Sequence, residues 1–326
     1  VLAFRPCPDT VAAGAVLTMH VAVLIVGFRN PEDIVGCLDA IGRSDHTDYE
    51  VVICENGGAE AYHGLMAAIP DRLPGGQPVR ALQARENLGY AGGVNAAMAA
   101  AQADAWWVLN PDTETEPGAL SAMLARLQQG DCDAVGATIY LPGRRVQTHA
   151  GHWRGWMARA VSVGRGADLD AAIDAGAIER RQSYISGACM LIGRRFLEVA
   201  GPMREDYFLY GEEVEWCLRA RARGLRLGFA PAARVLHRAG ATTGSNDAIR
   251  SRPRMPIFLD ERNKMLVTRD CFPARLPVAA LAALALAVLR FGRTRAWKQL
   301  GYAISGWAAG LRNERGAPSW IAQLLT

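Results

Sequence analysis

Three carboxylates, Glu212, Glu213 and Glu215, fall within four residues at the expected start of a helix. The positive end of the helix dipole favours anions there, so a structural role is sufficient to account for them. Their mutual repulsion also raises a carboxyl pKa toward neutrality, which is what a general base requires. A further acid, Asp112, follows the apolar run Trp106 to Leu109 as Asn110-Pro111-Asp112, where the proline turns the chain out of a sheet and presents the carboxylate at a strand end. One carboxylate together with a nucleotide diphosphate is enough to hold Mg2+ or Mn2+, since such ions keep several waters. A turn aspartate capping nearby amides is the structural alternative. His237 closes Val235-Leu236-His237 and reads as a hydrogen-bonded rim residue or as a ligand. Glu86-Asn87-Leu88-Gly89-Tyr90-Ala91-Gly92-Gly93-Val94-Asn95 places three glycines and two asparagines before a helix. That arrangement lets backbone N–H groups approach a phosphate, or lets a helix entry pack tightly. Neither G-x-G-x-x-G nor a P-loop lysine is present, which argues against a dinucleotide enzyme or an NTPase.

Alternating strands and helices must position these groups. Val21 to Val26 is a continuous apolar, β-branched run suited to a strand buried on both faces. Asn30 as N-cap, Pro31 at the first helical position and Ile34, Cys37, Leu38 and Ile41 on one face predict the following helix. Further strands are expected at Glu50–Cys54, Val79–Leu82, Ala105–Leu109, Ala134–Tyr140 and Cys189–Ile192, with two more at Leu225–Phe229 and Arg234–His237. Helices are expected at Gly92–Ala101, from Pro117, and at Glu213–Arg223, the last stopped by Gly224. This alternation predicts a parallel sheet covered by helices, with ligands beyond the carboxyl ends of the strands. Those ends carry Gly27 to Asn30, Glu55-Asn56 and Asn110 to Asp112. Residues 141–182 lose periodicity and read as an irregular excursion over one edge.

A chain of 326 residues, half apolar and 21% charged, is one large or two smaller globular domains, and excludes disorder, collagen and coiled coil. Seven cysteines without a C-x-x-C pair point to neither a disulfide framework nor a cysteine zinc site, as fits a reducing cytoplasm. Residues 250–326 carry a net charge of +9 and the first 249 residues −5, so the two parts face different partners. Residues 1–18 read as a disordered leader, 19–245 as the catalytic domain, and 246–326 as a basic, partly apolar helical region with a boundary near Ser245.

In order, V-A-V-L-I-V-G-F-R-N, V-V-I-C-E-N-G-G, E-N-L-G-Y-A-G-G-V-N, W-V-L-N-P-D-T, S-G-A-C-M-L-I, F-L-Y-G-E-E-V-E-W-C-L-R and V-L-H-R-A-G-A-T-T-G resemble bacterial glycosyltransferase family 2 over residues 21–244, particularly its rhamnosyltransferase-like branch. Arg262-Asn263 is similar to an arginine–asparagine pair of that branch. The resemblance implies an α/β GT-A fold with a Rossmann-like, mostly parallel sheet and a C-terminal helical extension. It also implies a nucleoside-diphosphate sugar donor, a divalent cation (Mg2+ or Mn2+), a glycan or lipid-linked acceptor and inversion at the anomeric carbon. By position, Glu55, Asn87, Gly89, Asn95, Asn110 and Asp112 would line the donor. Asp112 and His237 would hold the metal, Glu213 with Glu212 would supply the base, and Gly187, Ala188 and Glu215 would face the acceptor. Four positions depart from the family pattern: Glu55 and Glu213 stand where aspartates are commoner, Asn110 replaces the first aspartate of D-x-D, and Arg204-Glu205 replaces aspartate–glutamate.

Rival readings are a degenerate nucleotide-sugar or glycan-binding protein, and a nucleotide-sugar oxidoreductase or nucleotidyltransferase. No nucleic-acid partner is expected. The apolar run Leu276 to Leu289 is too short to span a bilayer, and reads as a buried helix or as an interfacial one. The flanking cations through residue 298 favour an anionic membrane surface, so the chain is expected in the cytoplasm, or peripherally on the inner face of the plasma membrane.

Overall fold

The computed structural model describes residues 19–238 and 247–321, so the leader expected at 1–18 and the boundary expected near Ser245 lie outside the described residues. Strands and helices alternate as β1 (Val21–Gly27), α1 (Pro31–Ile41), β2 (Tyr49–Glu55), α2 (Ala59–Ala68), β3 (Val79–Gln83), α3 (Gly89–Ala99) and β4 (Ala105–Leu109). There follow β5 (Thr113–Thr115), α4 (Ala119–Leu127), β6 (Ala134–Leu141), β7 (Arg145–Thr148), β8 (Ala150–Arg154), β9 (Arg159–Val163), α5 (Ala175–Arg181), β10 (Cys189–Gly193) and α6 (Arg194–Ala200). The last elements are α7 (Glu212–Ala222), β11 (Leu227–His237), α8 (Arg254–Cys271), α9 (Leu276–Arg293) and α10 (Trp297–Leu311).

The sheet runs β3-β2-β1-β4-β10-β6-β11-β5, with β7 beside β6. β10 lies antiparallel to both β4 and β6, while β3, β2, β1, β4, β6 and β11 share one direction. The expected parallel sheet therefore carries one reversed strand at its centre. The reversal has a consequence for the site. The carboxyl ends of β1, β2, β4 and β11 and the entry to β10 all meet at one edge of the sheet. Along β1, Ala22, Leu24 and Val26 enter one core layer while Val21, Val23 and Ile25 enter the other, the period-two alternation of a strand covered on both faces. Helices α3, α7 and α8 contribute to the first layer, α1 and α4 to the second.

Three local expectations change. Residues 141–182 are ordered, with β7 pairing β6, a β8–β9 hairpin, and α5 capped by the Asp174 side chain on the Ala177 amide. Their turns include Arg144 and Ala158 at positive φ, non-glycine positions that turn statistics do not flag. The two predicted C-terminal strands are a single bent strand, β11, whose register shifts between Ala230 and Arg234. Pro231 has no N–H to donate there. Asn30 precedes α1 as predicted, but its Oδ1 accepts from the Phe28 amide rather than capping the helix.

Helix α3 begins at Gly89, three residues earlier than predicted, because Gly92 and Gly93 are inside it. A Cβ on Gly93 would lie 2.7 Å from Val26 Cγ1, so this glycine lets α3 sit directly on β1. Gly89 has φ +70°, and a Cβ there would lie 2.2 Å from the Phe208 carbonyl oxygen. We expect Gly89→Ala to destabilise the fold by about 1–3 kcal/mol, seen as a lowered denaturant midpoint at unchanged m-value. Gly64→Ala on α2, where a Cβ meets nothing within 4 Å, should be neutral or stabilising. Equal midpoints for the two variants would refute the tight approach of α3 to the Phe208 turn.

Candidate active site

The first turn of α7 carries Glu212, Glu213 and Glu215, and successive helical residues point about 100° apart, so the three diverge. Glu213 faces the sheet edge. A Cβ on Gly187 would lie 3.6 Å from Glu213 Cβ and Cγ and 3.5 Å from Tyr90 Cε1, which places the three residues in contact. The Glu213 Oε2 accepts from the Gly211 amide at 3.1 Å, and burial holds its carboxyl above the usual range. Glu212 is deeper: it is buried, its Oε2 has no hydrogen-bond partner, and burial with the neighbouring Glu213 charge pushes its pKa up to about 8. Glu215 corrects the acceptor-side expectation. Two residues beyond Glu213 it points to the opposite side of the helix, where both its oxygens accept from Arg219 at 2.8 and 3.1 Å.

Asp112 and His237, 125 positions apart, are brought together by the pairing of β5 with β11, in which His237 sits opposite Thr113. His237 Nε2 lies 3.2 Å from Asp112 Oδ1, and both side chains are nearly buried. Gln147 Oε1 accepts from His237 Nδ1 at 2.8 Å, which directs Nε2 toward the carboxylate. An imidazole nitrogen facing a carboxylate oxygen is a donor set that fits Mn2+ or Mg2+. Among the described residues no third histidine, cysteine or carboxylate joins the pair, so other ligands would have to come from substrate and water. Asn110 follows β4 with its backbone amide bonded to the Ala188 carbonyl at 3.1 Å, so Gly187 and Ala188 line the same edge.

Tyr90, which the sequence did not single out, links the two groups. Its hydroxyl donates to the Gly187 carbonyl at 2.6 Å. Burial first, then the nearby carboxylates of Glu212, Glu213 and Asp112, keep the phenol protonated far above its usual range. The ring thus packs at Gly187 beside Glu213, on the strand-end edge that Ala188 shares with Asn110. Its only sequence signal was an aromatic residue within a glycine-rich stretch. Gln147, from the excursion, had none.

The donor-side residues act more on the chain than was expected of them. The amides of Leu88, Gly89 and Tyr90 are consumed by Asn56 Oδ1, Asn87 Oδ1 and the Phe208 carbonyl, so the predicted phosphate cradle is not made by these groups. Asn95 is likewise committed to the Met203 backbone and Glu205. It faces a separate groove of about 1290 Å³ between α3 and α6. Glu55 is fully buried, and its Oε1 accepts from the amides of Arg29 and Gly57. Its Oε2 has no partner and fills the space beside Gly27 that a Cβ would occupy. In this structure Glu55 therefore shapes the turns at the ends of β1 and β2 from beneath.

Arg262 and Asn263 of α8 hold the segment that leads into α7. Asn263 Nδ2 lies 3.0, 2.9 and 2.6 Å from the carbonyls of Tyr207, Leu209 and Tyr210. Arg262 donates to the carbonyls of Tyr207 and Gly316 and to Asn263 Oδ1.

The raised pKa of Glu212 predicts a pH effect on stability. Between its ordinary value of 4.5 and about 8 the folded protein holds a proton here that the unfolded chain has released, so this group opposes folding increasingly as pH rises through that window. The Tm of Glu212→Gln minus that of the wild type should therefore increase from about pH 5 to about pH 8. A constant difference would mean that Glu212 ionises normally in the fold.

Comparison with known proteins agrees with this architecture. Residues 19–255 match the family model described as glycosyltransferase like family 2. The y4gI protein of Sinorhizobium fredii is 29% identical over 253 residues, covering 74% of this chain and 27% of its own length, so the chain spans about a quarter of that relative. The N-acetylglucosaminyl-diphospho-decaprenol L-rhamnosyltransferase of Mycobacterium tuberculosis is 29% identical over 237 residues, covering 65% of this chain and 73% of that enzyme. Among solved structures, mannosyltransferase PcManGT of Pyrobaculum calidifontis, in complex with GDP-Man and Mn2+, superposes with a TM-score of 0.55 at 16% identity, over 94% of this chain and 91% of that one. With a mixed sheet of this order, converging strand ends and a family match over most of its length, the chain belongs to glycosyltransferase family 2 and has a GT-A-like fold.

Proposed function

We propose that the protein is an inverting glycosyltransferase that moves a sugar, rhamnose being the branch-based choice, from a nucleoside-diphosphate donor to a hydroxyl of a glycan or lipid-linked acceptor. The observation that carries this reading is the meeting of Glu213, Tyr90 and the Asp112–His237 pair at one strand-end edge. The Mycobacterium relative, whose name describes a lipid-linked substrate, supports the acceptor class. The carboxylate of Glu213 beside Gly187 at the strand-end edge supports turnover over the degenerate reading.

In the proposed reaction Glu213 takes the proton of an acceptor hydroxyl as that oxygen forms a bond to the anomeric carbon. The bond from that carbon to the diphosphate oxygen breaks on the opposite face, and the nucleoside diphosphate leaves with the electron pair. Asp112 and His237 would hold the divalent cation, whose chemistry when bound is to neutralise charge on the departing diphosphate. Gly187, lacking a side chain, leaves room beside Glu213 for the incoming hydroxyl. The Tyr90 hydroxyl, bonded to the Gly187 carbonyl, fixes that wall. Glu212, buried with its pKa raised, carries less negative charge beside Glu213 than an ordinary carboxylate would.

A donor screen by mass spectrometry with Mn2+ and Mg2+ tests the activity, and absence of transfer or hydrolysis with every nucleotide sugar would refute it. Glu213→Gln should lower turnover by roughly a hundredfold or more with donor affinity nearly kept. A greater loss in Glu212→Gln would move the base to that neighbour.

Asp112→Asn should weaken cation-dependent donor binding, measured by calorimetry, while Tm changes little. A collapse in Tm with unchanged metal dependence would make Asp112 a turn residue only.

A further inference from the structure

Beyond Arg262 and Asn263, the region 250–326, with its net charge of +9, has no part in the proposed reaction. Helix α9 is amphipathic in an unusual sense: one side packs on the protein, and the other side is also apolar. Ala279, Ala280, Ala283, Ala287 and Phe291 are buried, and Trp307 of α10 donates its indole N–H to the Ala280 carbonyl. On the opposite side Val278, Leu281, Val288 and Leu289 face solvent at 58, 71, 47 and 46% exposure. At 3.6 residues per turn these four lie within an arc of about 100°. Trp297, 65% exposed at the start of α10, and Ile304, 40% exposed, extend the patch. Contiguous apolar surface of this kind marks a contact with another phase or partner.

The rim of the patch indicates which. Arg275 precedes α9, Arg290 and Arg293 are in its last turn, and Arg295 and Lys298 follow; all are exposed, the guanidinium groups of Arg275 and Arg290 lying over the Phe272 and Phe291 rings. None of these five cations forms an ion pair with a described residue, whereas Lys264, facing the protein interior, is paired with Asp260 and Glu261. By length and composition Pro273–Arg293 could cross a membrane, but the packed face of α9 belongs to the same core as the sheet, and leaving it would expose that core. An apolar face ringed by unpaired cations on a helix anchored along its other side suits the headgroup–acyl boundary of a bilayer.

We propose that the outward face of α9, with Trp297 and Ile304 of α10, docks on an anionic lipid bilayer, the helix lying in the plane of the interface. Leu289 of this face also borders a cleft. The cleft, of about 590 Å³ between the β8–β9 turn and α9, is lined by Met157 and Lys264 and, on α9, by Leu286, Leu289, Arg290 and Arg293, with Asp260 in its wall. Docking itself does not depend on the transfer reading above.

The test is co-sedimentation of the full chain with vesicles of phosphatidylcholine alone or mixed with phosphatidylglycerol, at about 0.05 M and about 0.5 M salt. The wild type should pellet with the anionic vesicles and lose much of that binding at high salt. Leu281→Glu with Val288→Glu should lower the partition coefficient at least about tenfold at either salt. Arg295→Glu with Lys298→Glu, both solvent-exposed, should lose the preference for anionic lipid while keeping the wild-type Tm. Donor affinity, measured separately by calorimetry, should be unchanged in both variants, so loss of docking is distinguishable from failure of the transfer reading. Equal soluble recovery of wild type with both vesicle types would overturn the proposal. So would a lipid-independent dimer, seen by sedimentation velocity, that Leu281→Glu dissociates, since the face would then cover a second copy.

Discussion

The site depends on how α8 grips the turn ahead of α7. Phe208 and Tyr210, neither a glycine, adopt φ of +67° and +73°, and Gly211 follows at +85°. Each such non-glycine residue costs on the order of 1–3 kcal/mol and persists only where surrounding bonds over-determine it. Asn263 and the buried guanidinium of Arg262 supply those bonds by taking the carbonyls of Tyr207, Leu209 and Tyr210. The same turn offers the Phe208 carbonyl to the Tyr90 amide at 2.7 Å. One strained turn therefore places Glu212 and Glu213 on one side and Tyr90 on the other. Burial of Arg262 without a carboxylate against it pulls its pKa down to about 10, still charged at neutral pH, so its donors remain available to the carbonyls.

That grip also ties the C-terminal helices to the segment that carries the carboxylates. Arg204 and Arg315 share Asp206 and Asp270 in a network that includes the Tyr207 hydroxyl, tying the segment before α7 to α8 and to the chain beyond α10. Arg204 occupies a position where the family usually has aspartate; here it supplies the cation for two aspartates. Helix α10 comes close to α8 through Gly306 and Gly310, whose Cβ atoms would lie 2.2 and 2.4 Å from the carbonyls of Phe258 and Arg262. Helix α9 is thus linked, through α10 and α8, to the turn that carries the carboxylates.

Electrostatics in the site follow from burial more than from the helix dipole. The dipole and the backbone amides at the start of α7 favour ionised carboxylates, yet desolvation outweighs them for both Glu212 and Glu213. Two adjacent acids under those conditions do not both carry full charge. Depth distinguishes them: Glu212 is buried, while Glu213 is half-buried at the edge. Glu215 escapes the competition because Arg219 neutralises it on the far side of the helix.

The sequence alone determined the alternation of strands and helices, the two-sided burial of β1, the strand-end location of Asp112 and His237, and the family, because these rest on local periodicity and on ordered motifs that survive without knowledge of contacts. Tertiary structure decided which motif residues face the edge. Asn95 and the amides of Leu88, Gly89 and Tyr90 have the composition of a ligand loop, yet a hydrogen-bonding group can be satisfied equally well by the chain, and only the approach of Met203, Glu205 and Phe208 makes that choice. Glu213 and Glu215 are indistinguishable by type, and the 200° between them on the helix assigns one to the edge and the other to Arg219. Gln147 reaches His237 only because β7 pairs with β6 beside β11, and Arg262-Asn263 reaches the α7 turn only because α8 folds back onto it. Such partners lie tens of residues apart, and pairing at that distance is set by packing of the whole core, which no local pattern encodes.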